Sequence, residues 1–171
     1  MTKLLLGIGL AAMLACAQEI SPKAEIFGGY QYTRIGIAPG INANGWNAAV
    51  TGNLNRWAGL TADFSGGYRD IAESKLRAHT YTFGPTFFAR GRYATPFCHA
   101  LFGGFRGSAG AGPFSAALNG FTMMIGGGVD VYITPRVAVR AGQLDWLLWR
   151  AAGMMEKQNA RFSAGLVFRI N

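Results

Sequence analysis

The sequence has few charged residues, histidines and cysteines, and each shortage excludes a class of protein. Only 14% of its 171 residues are charged and 50% are hydrophobic, a balance that is unusual for a soluble enzyme. Its two histidines, His79 and His99, and its two cysteines, Cys16 and Cys98, have no metal-ligand spacing. We therefore expect no metal site, no cofactor and no catalytic residue.

Long apolar runs are missing from most of the chain. No run of 18 apolar residues follows Gln18, and a helix needs about 20 to span a bilayer, so a helical membrane protein is excluded. The N-terminus combines Lys3, an apolar segment over 4–14 and a small-x-small site at 15–17. This is the pattern of an export signal.

We predict that residues 1–17 are a signal peptide cleaved after Ala17, and that residues 18–171 form one domain. The alternative is a lipoprotein signal in which Cys16 is lipidated, but the Ala-x-Ala spacing favours simple cleavage. Cleavage would leave Cys98 as the one cysteine, so no intramolecular disulfide could form. We expect Cys98 to be a small buried hydrophobe.

Polarity alternates with a period of two along eight stretches of the mature chain, as in strands that lie between polar and apolar surroundings. Leu60, Ala62 and Phe64, for example, oppose a face that carries Asp63. The predicted strands are 24–35, 45–54, 60–69, 78–90, 97–106, 121–133, 137–149 and 161–170.

Three positions disturb this pattern. Pro85 removes a ladder donor, so we expect a bulge or a loosened pair there. Arg140 falls on an apolar face, so it either snorkels to an interface or the register shifts near Gly142. The alternation of the fifth stretch is blurred, which leaves the face of His99 open.

The connections alternate in length, with short turns at 55–56, 91–96 and 134–136 and longer segments at 36–44, 70–77, 107–119 and 150–159. Short turns at one end and long loops at the other are typical of transmembrane barrels. In hydrocarbon only a closed sheet satisfies every backbone amide. We therefore predict an all-β fold, a closed antiparallel eight-stranded transmembrane β-barrel with polar faces inside and apolar faces outside.

Aromatic residues gather near the predicted strand ends, where they would meet the membrane interfaces. Toward the long loops these are Tyr32, Trp46, Tyr68, Tyr81, Trp146 and Trp149, and toward the turns they are Phe27, Phe97, Tyr132 and Phe168.

Two segments resemble a known family. The final strand, 163–170, looks like the C-terminal signal of outer-membrane barrels, and Gln143-Leu144-Asp145-Trp146 is similar to the seventh strand of the OmpA-like transmembrane domain. The resemblance covers the mature chain and implies an outer-membrane location and insertion by the barrel-assembly machinery. The chain departs from the pattern by ending in Asn171, and it stops at the barrel, so we expect no peptidoglycan-binding domain and no role in cell-wall tethering.

An eight-stranded barrel is just wide enough for side chains to fill its interior. Acids on the inward faces need cationic partners, because an unpaired buried charge is costly. We predict an interior charge network that fills the lumen, formed by Asp63, Asp130, Asp145, Arg90, Arg161 and Arg169.

The formal net charge is +8, and export argues against nucleic acid as its partner. We expect the basic residues to face the phosphates of outer-membrane lipids or to lie inside the fold, with lipopolysaccharide as a further candidate partner. Charges in the long segments could contact such partners or be simply solvated; they are Asp70, Glu73, Lys75, Arg77, Arg150, Glu156 and Lys157. We expect a monomeric, non-enzymatic outer-membrane protein with a structural, adhesive or surface-interaction role. The alternatives are a narrow channel and a lipid-modifying enzyme, although neither histidine lies in the His-x-Ser pattern of barrel lipid A deacylases.

Overall fold

The computed structural model describes residues 22–36, 40–71, 74–111 and 114–171, and these form a closed antiparallel barrel in which sequential strands pair and the first pairs with the last. The predicted fold class is confirmed. The predicted signal peptide 1–17 and Cys16 lie outside the described residues. The strands are β1 Ala24–Ile35, β2 Ile41–Asn53, β3 Ala58–Ile71, β4 Ser74–Phe88, β5 Ala94–Ala111, β6 Phe114–Thr134, β7 Val137–Ala151 and β8 Met154–Ile170.

The alternation in the sequence separates the two faces of the wall. In β3, Thr61 and Asp63 point into the barrel and are 5% and 2% exposed, whereas Leu60 and Phe64 point out and are 39% and 49% exposed. The outer wall is thus apolar and the inner wall polar, the reverse of a water-soluble barrel. Among the described residues no helix is long and apolar enough to cross a membrane.

Arg140 lies inside the barrel because the register shifts beside it. Val129 pairs with Gly142, but the next residue, Asp130, pairs with Arg140, so Ala141 is an extra residue in β7. Such a bulge exchanges the faces of the residues that precede it. The shift near Gly142 is therefore confirmed, and the alternative of a snorkelling Arg140 is wrong.

Pro85 loosens the pairing without changing the register. Phe83 pairs with Phe102 and Thr86 with His99, while the two residues between them, Gly84 and Pro85, have no partner in β5. Proline cannot donate to the ladder. Because the count of residues is conserved across this gap, the alternation of β5 continues, His99 faces inward, and the neighbouring Cys98 is exposed on the outer wall. The prediction of a buried Cys98 is wrong.

The predicted long loops are largely strand. β5 continues to Ala111 and β6 begins at Phe114, across most of the segment predicted as a loop, and β7 and β8 are joined only by Ala152 and Gly153. Both of these residues have positive φ, 49° and 80°, the conformation of a tight hairpin turn. The apolar alternation that marks the strands in the sequence fades here, whereas the backbone ladder continues. We call this end, opposite the turns at 54–57, 89–93 and 135–136, the loop end.

Four of the aromatic residues predicted at the interfaces lie inside instead. Phe27 and Phe97 are 2% and 7% exposed, and Tyr132 and Trp149 pack against buried interior clusters. They occupy inward-facing positions in the alternation of their strands. Closeness to a strand end does not show which way a side chain points. The outward aromatics are those predicted at Tyr32, Trp46, Tyr68, Tyr81, Trp146 and Phe168, each 38–50% exposed.

The outward assignment of β8 can be tested with a single charge. Leu166 is 44% exposed and pairs with Gly28 near the centre of β1. We expect Leu166→Arg to lower the free energy of unfolding by about 2–4 kcal/mol if it lies at the lipid midplane. Urea titration of the protein refolded into lipid vesicles would measure this.

The matched control for this substitution is Ile170→Arg, at the turn end of the same strand and equally outward, at 49% exposure. Near an interface the same charge should cost about 0–1 kcal/mol. Equal costs at the two positions would contradict a lipid-facing wall.

Candidate functional site

A charge layer crosses the middle of the barrel, and Arg161 is at its centre. The guanidinium of Arg161, on β8, donates from Nη1 to Asp63 Oδ1 of β3 at 2.9 Å and lies 2.7 Å from Asp145 Oδ2 of β7. All three side chains are 0–2% exposed. One cation thus joins two acids from opposite parts of the sheet, and its charge is shared between them.

The layer continues through amides and a second arginine. Gln143 donates to Asp145 at 2.7 Å and accepts from Arg140 at 2.6 Å, and Arg140 donates two hydrogen bonds to Asp130, at 2.8 and 3.0 Å. The Arg140–carboxylate pair therefore has the bidentate geometry that makes such contacts strong.

Two further side chains attach to the acids at the centre. His99 Nε2 lies 2.8 Å from Asp145 Oδ1, and the Asn47 amide donates to Asp63 Oδ2 at 2.9 Å. Both are buried. The hydrogen bonds of the layer therefore connect β2, β3, β5, β6, β7 and β8.

Arg140 is also held between two aromatic rings. Its guanidinium carbon lies 4.3 Å from the ring centre of Phe27 and 4.2 Å from that of Phe97. Contacts of this kind stabilise a desolvated cation by up to about 2 kcal/mol. The two phenylalanines that were predicted at the interface thus form part of the layer.

A second charge group lies toward the turns. Arg90 donates to both carboxylate oxygens of Glu25, at 2.9 and 3.3 Å, and to Asn53 at 2.9 Å, and Arg169 lies 3.7 Å from the same carboxylate. Arg90 also covers the ring of Phe88, at 4.3 Å. This group closes the turn end of the lumen with the same chemistry as the layer above it.

The predicted network residues fall into these two groups. Asp63, Asp145 and Arg161 are brought together in the charge layer, whereas Asp130 pairs with Arg140, which was not predicted as a partner. Arg90 and Arg169 belong to the separate group around Glu25, an acid that was not among the predicted network residues; the sequence had left the pairing open.

Sequence reasoning missed Glu25, Arg140, His99, Gln143 and Asn47. The sequence already placed Glu25, Gln143 and Asn47 on the polar faces of their strands. The strand alternation could therefore have identified them as inward-facing residues. Arg140 and His99 could not be found in this way, because the bulge exchanges the face of Arg140 and because the inward neighbours of His99, Phe97 and Leu101, are apolar.

The interior is closed above the charge layer as well. Leu101, Met124 and Leu147 pack against one another at 0–1% exposure, and the cavity beside them, whose lining includes Leu147, Trp149 and Arg161, is about 20 Å³. Such a volume accommodates about one water molecule. The described side chains leave no wide path along the axis.

The layer does not have the arrangement of a hydrolytic site. His99 and Asp145 form a histidine–acid pair, but Asp145 is also bound to Arg161, and among the described residues no hydroxyl or thiol is hydrogen-bonded to His99. His79 lies on the outer wall, 3.4 Å from the Tyr68 hydroxyl. No group of three or more acids, histidines or cysteines in the described part of the chain could hold a metal ion.

Comparison with solved structures finds similar barrels. Neisserial surface protein A superposes with a TM-score of 0.75 at 10% identity, over 89% of this chain and 100% of that one. The fold is that of a small outer-membrane β-barrel. Ail, the attachment invasion locus protein of Yersinia pestis, gives 0.64 at 16% identity over 88% and 100%, and the N-terminal barrel domain of Pseudomonas aeruginosa OprF gives 0.61 at 10% over 87% and 98%.

The sequence itself is far from these proteins. No protein-family model matches the chain, and no curated protein matches it. The likeness is therefore one of fold, and the OmpA-like assignment within the outer-membrane barrels stays a prediction.

The charge layer predicts a large effect of removing one acid. We expect Asp145→Leu to lower the free energy of unfolding by about 3–5 kcal/mol, because Arg161 and His99 would lose a partner in the interior. Urea titration in lipid vesicles, read by the gel shift between folded and boiled protein, would measure it.

Asp70→Leu is the matched control, because Asp70 is an exposed acid at the end of β3. This surface change should stay within about 0.5 kcal/mol of the wild type. If both variants refold with the wild-type yield and midpoint, the charge layer is not needed for stability.

Proposed function

We propose that the protein is an integral protein of the bacterial outer membrane, with a structural or surface-interaction role and no enzymatic activity. The observation that carries this proposal is a closed barrel whose outer wall is apolar and whose lumen is filled by paired charges. An apolar outer wall suits lipid and not water. A filled lumen suits a protein that acts through its exposed end.

The filled lumen favours a plug over the alternative of a narrow channel. Four acids, Glu25, Asp63, Asp130 and Asp145, are balanced there by four arginines, Arg90, Arg140, Arg161 and Arg169. A passing ion would have to break contacts between fully desolvated partners. We propose that the charge layer and the group around Glu25 together close the lumen and fix the strand register.

We expect the purified protein to give no steady ion current in planar lipid bilayers. The double variant Asp63→Ala, Arg161→Ala removes a charge pair together and leaves no net charge, so it should let more current pass than the wild type. Regular single-channel openings of the wild-type protein, equal in size to those of the double variant, would favour the channel alternative.

The surface role is supported by the outward side chains at the loop end. Arg34, Arg77, Arg106 and Arg150 are exposed there on β1, β4, β5 and β7, and we call these four residues the basic collar. Below them lie outward aromatics such as Trp46 and Tyr81. Aromatic rings prefer the membrane interface, and cations next to it attract anionic head groups.

The basic collar suits a surface role in which its arginines bind the phosphate groups of lipopolysaccharide. Long loops suit that role less well, because the described strands continue almost to the turns. The predicted loop residues Arg77 and Arg150 belong to the collar and Asp70 lies beside it, whereas Glu73 and the Lys75 side chain lie outside the described residues. Each arginine near an anionic surface contributes about 1 kcal/mol. Several together can therefore anchor the loop end in that leaflet.

We expect the double variant Arg77→Gln, Arg106→Gln to lose the thermal stabilisation that lipopolysaccharide gives to the wild type in vesicles. The matched control is Lys23→Gln, Arg136→Gln, which removes two exposed charges at the turn end. Unfolding temperatures with and without lipopolysaccharide would be compared. An equal loss of thermal stabilisation in both variants would mean that the effect of lipopolysaccharide depends on charge at either end of the barrel and not on the collar.

A further inference from the structure

The barrel opens at its loop end into a cup of about 550 Å³. Its walls are aliphatic, with Ile35, Ile41, Leu76 and Leu118 among small alanines and glycines, and Trp149 lies at its floor. Cavities of about 300–1,000 Å³ with mainly apolar linings are typical of small-molecule sites. An apolar surface open to water also has a cost unless something covers it.

The floor of the cup is rigid and closed. Trp149 stacks on Phe105 with ring centres 5.0 Å apart and planes at 18°. Beneath them lies the buried cluster of Leu101, Met124 and Leu147. A molecule entering the cup would therefore stop there, above the charge layer.

Two polar features of the lining point to a ligand. The indole Nε1 of Trp149 is buried and has no acceptor among the described residues, although a buried donor is destabilising without one. Arg69 faces into the cup from β3, where its guanidinium donates a hydrogen bond to the backbone oxygen of Asn42 at 3.2 Å. Both features are donors, and no acid is among the described residues that line the cup.

We propose that the cup binds a single-chain amphipathic carboxylate, such as a free fatty acid. The carboxylate accepts hydrogen bonds from Arg69 and Trp149, and the hydrocarbon chain covers the aliphatic walls. Donors without a neighbouring acid select an anion, and the apolar walls select an alkyl body. The site shares Arg77 with the basic collar and is separate from the charge layer, and it does not depend on the surface role proposed above.

The test is calorimetric titration of decanoate into the full chain refolded in phosphatidylcholine nanodiscs, with empty nanodiscs subtracted. We expect saturable binding at one site per barrel. Arg69→Gln should weaken it by about tenfold, as expected for loss of a charged hydrogen bond. Trp149→Phe should weaken it less. The matched control, Arg136→Gln, removes an exposed arginine at the turn end and should bind as the wild type does.

Occupancy of the cup itself is tested by filling it. A Cβ on Gly107 would meet only the Leu118 backbone oxygen, at 3.9 Å, so Gly107→Phe can enter the cavity without disturbing the wall and should abolish binding. Ala116→Phe fills the same space from β6 and serves if the first variant does not fold, as judged by its gel shift. Undiminished binding in a folded filled variant would overturn the proposal.

The neutral analogue 1-decanol tests the carboxylate. Decanol should bind to the wild type more weakly than decanoate does. It should also bind to Arg69→Gln as tightly as to the wild type. If the alcohol binds as tightly as the acid, or if no saturable heat exceeds that of empty nanodiscs, the assignment of an anionic ligand is wrong.

Discussion

The contact of Arg161 with Asp63 and Asp145 is the interaction on which the interior depends. The partners lie on β8, β3 and β7, and the pair with Asp63 joins residues 98 positions apart in the chain. Because a desolvated charge is stable only beside its counter-charge, a strand that slipped by one residue would turn one partner toward lipid. The buried ion pairs therefore favour closure of the barrel in a single register, as the apolar pattern of the outer wall also does.

The same constraint explains why the inner wall is built from short polar residues. Buried aliphatic side chains lie on the two sides of the charge layer, with Leu101, Met124 and Leu147 on one side and Ala138 and Val167 on the other. Between them the arginines reach across the lumen. Interior volume is thus filled by a few long cations, and threonine and serine at the remaining positions leave room for them.

How far the sequence predicts this structure depends on whether period two holds locally. It held in β3 and β8, where Asp63 and Arg161 were placed inside correctly, and in most of the outward aromatics. It failed at Arg140, where one extra residue exchanges the faces, and at the loop end, where strand pairing persists without an apolar pattern. Partners across the lumen, such as Arg90 with Glu25, depend on the closure of the barrel, which no local pattern encodes.

The continuation of the strands beyond the apolar wall limits how the exposed end can recognise anything. In the described residues most of each strand is bonded on both sides, but β6 has no pairing with β7 over 114–120 and β8 has none with β1 over 154–159, so only short edges at the loop end are open to an extended peptide. Away from these short edges, a partner must be recognised through side chains alone. Changes of specificity can then arise by single substitutions on a fixed scaffold, with no rearrangement of the backbone.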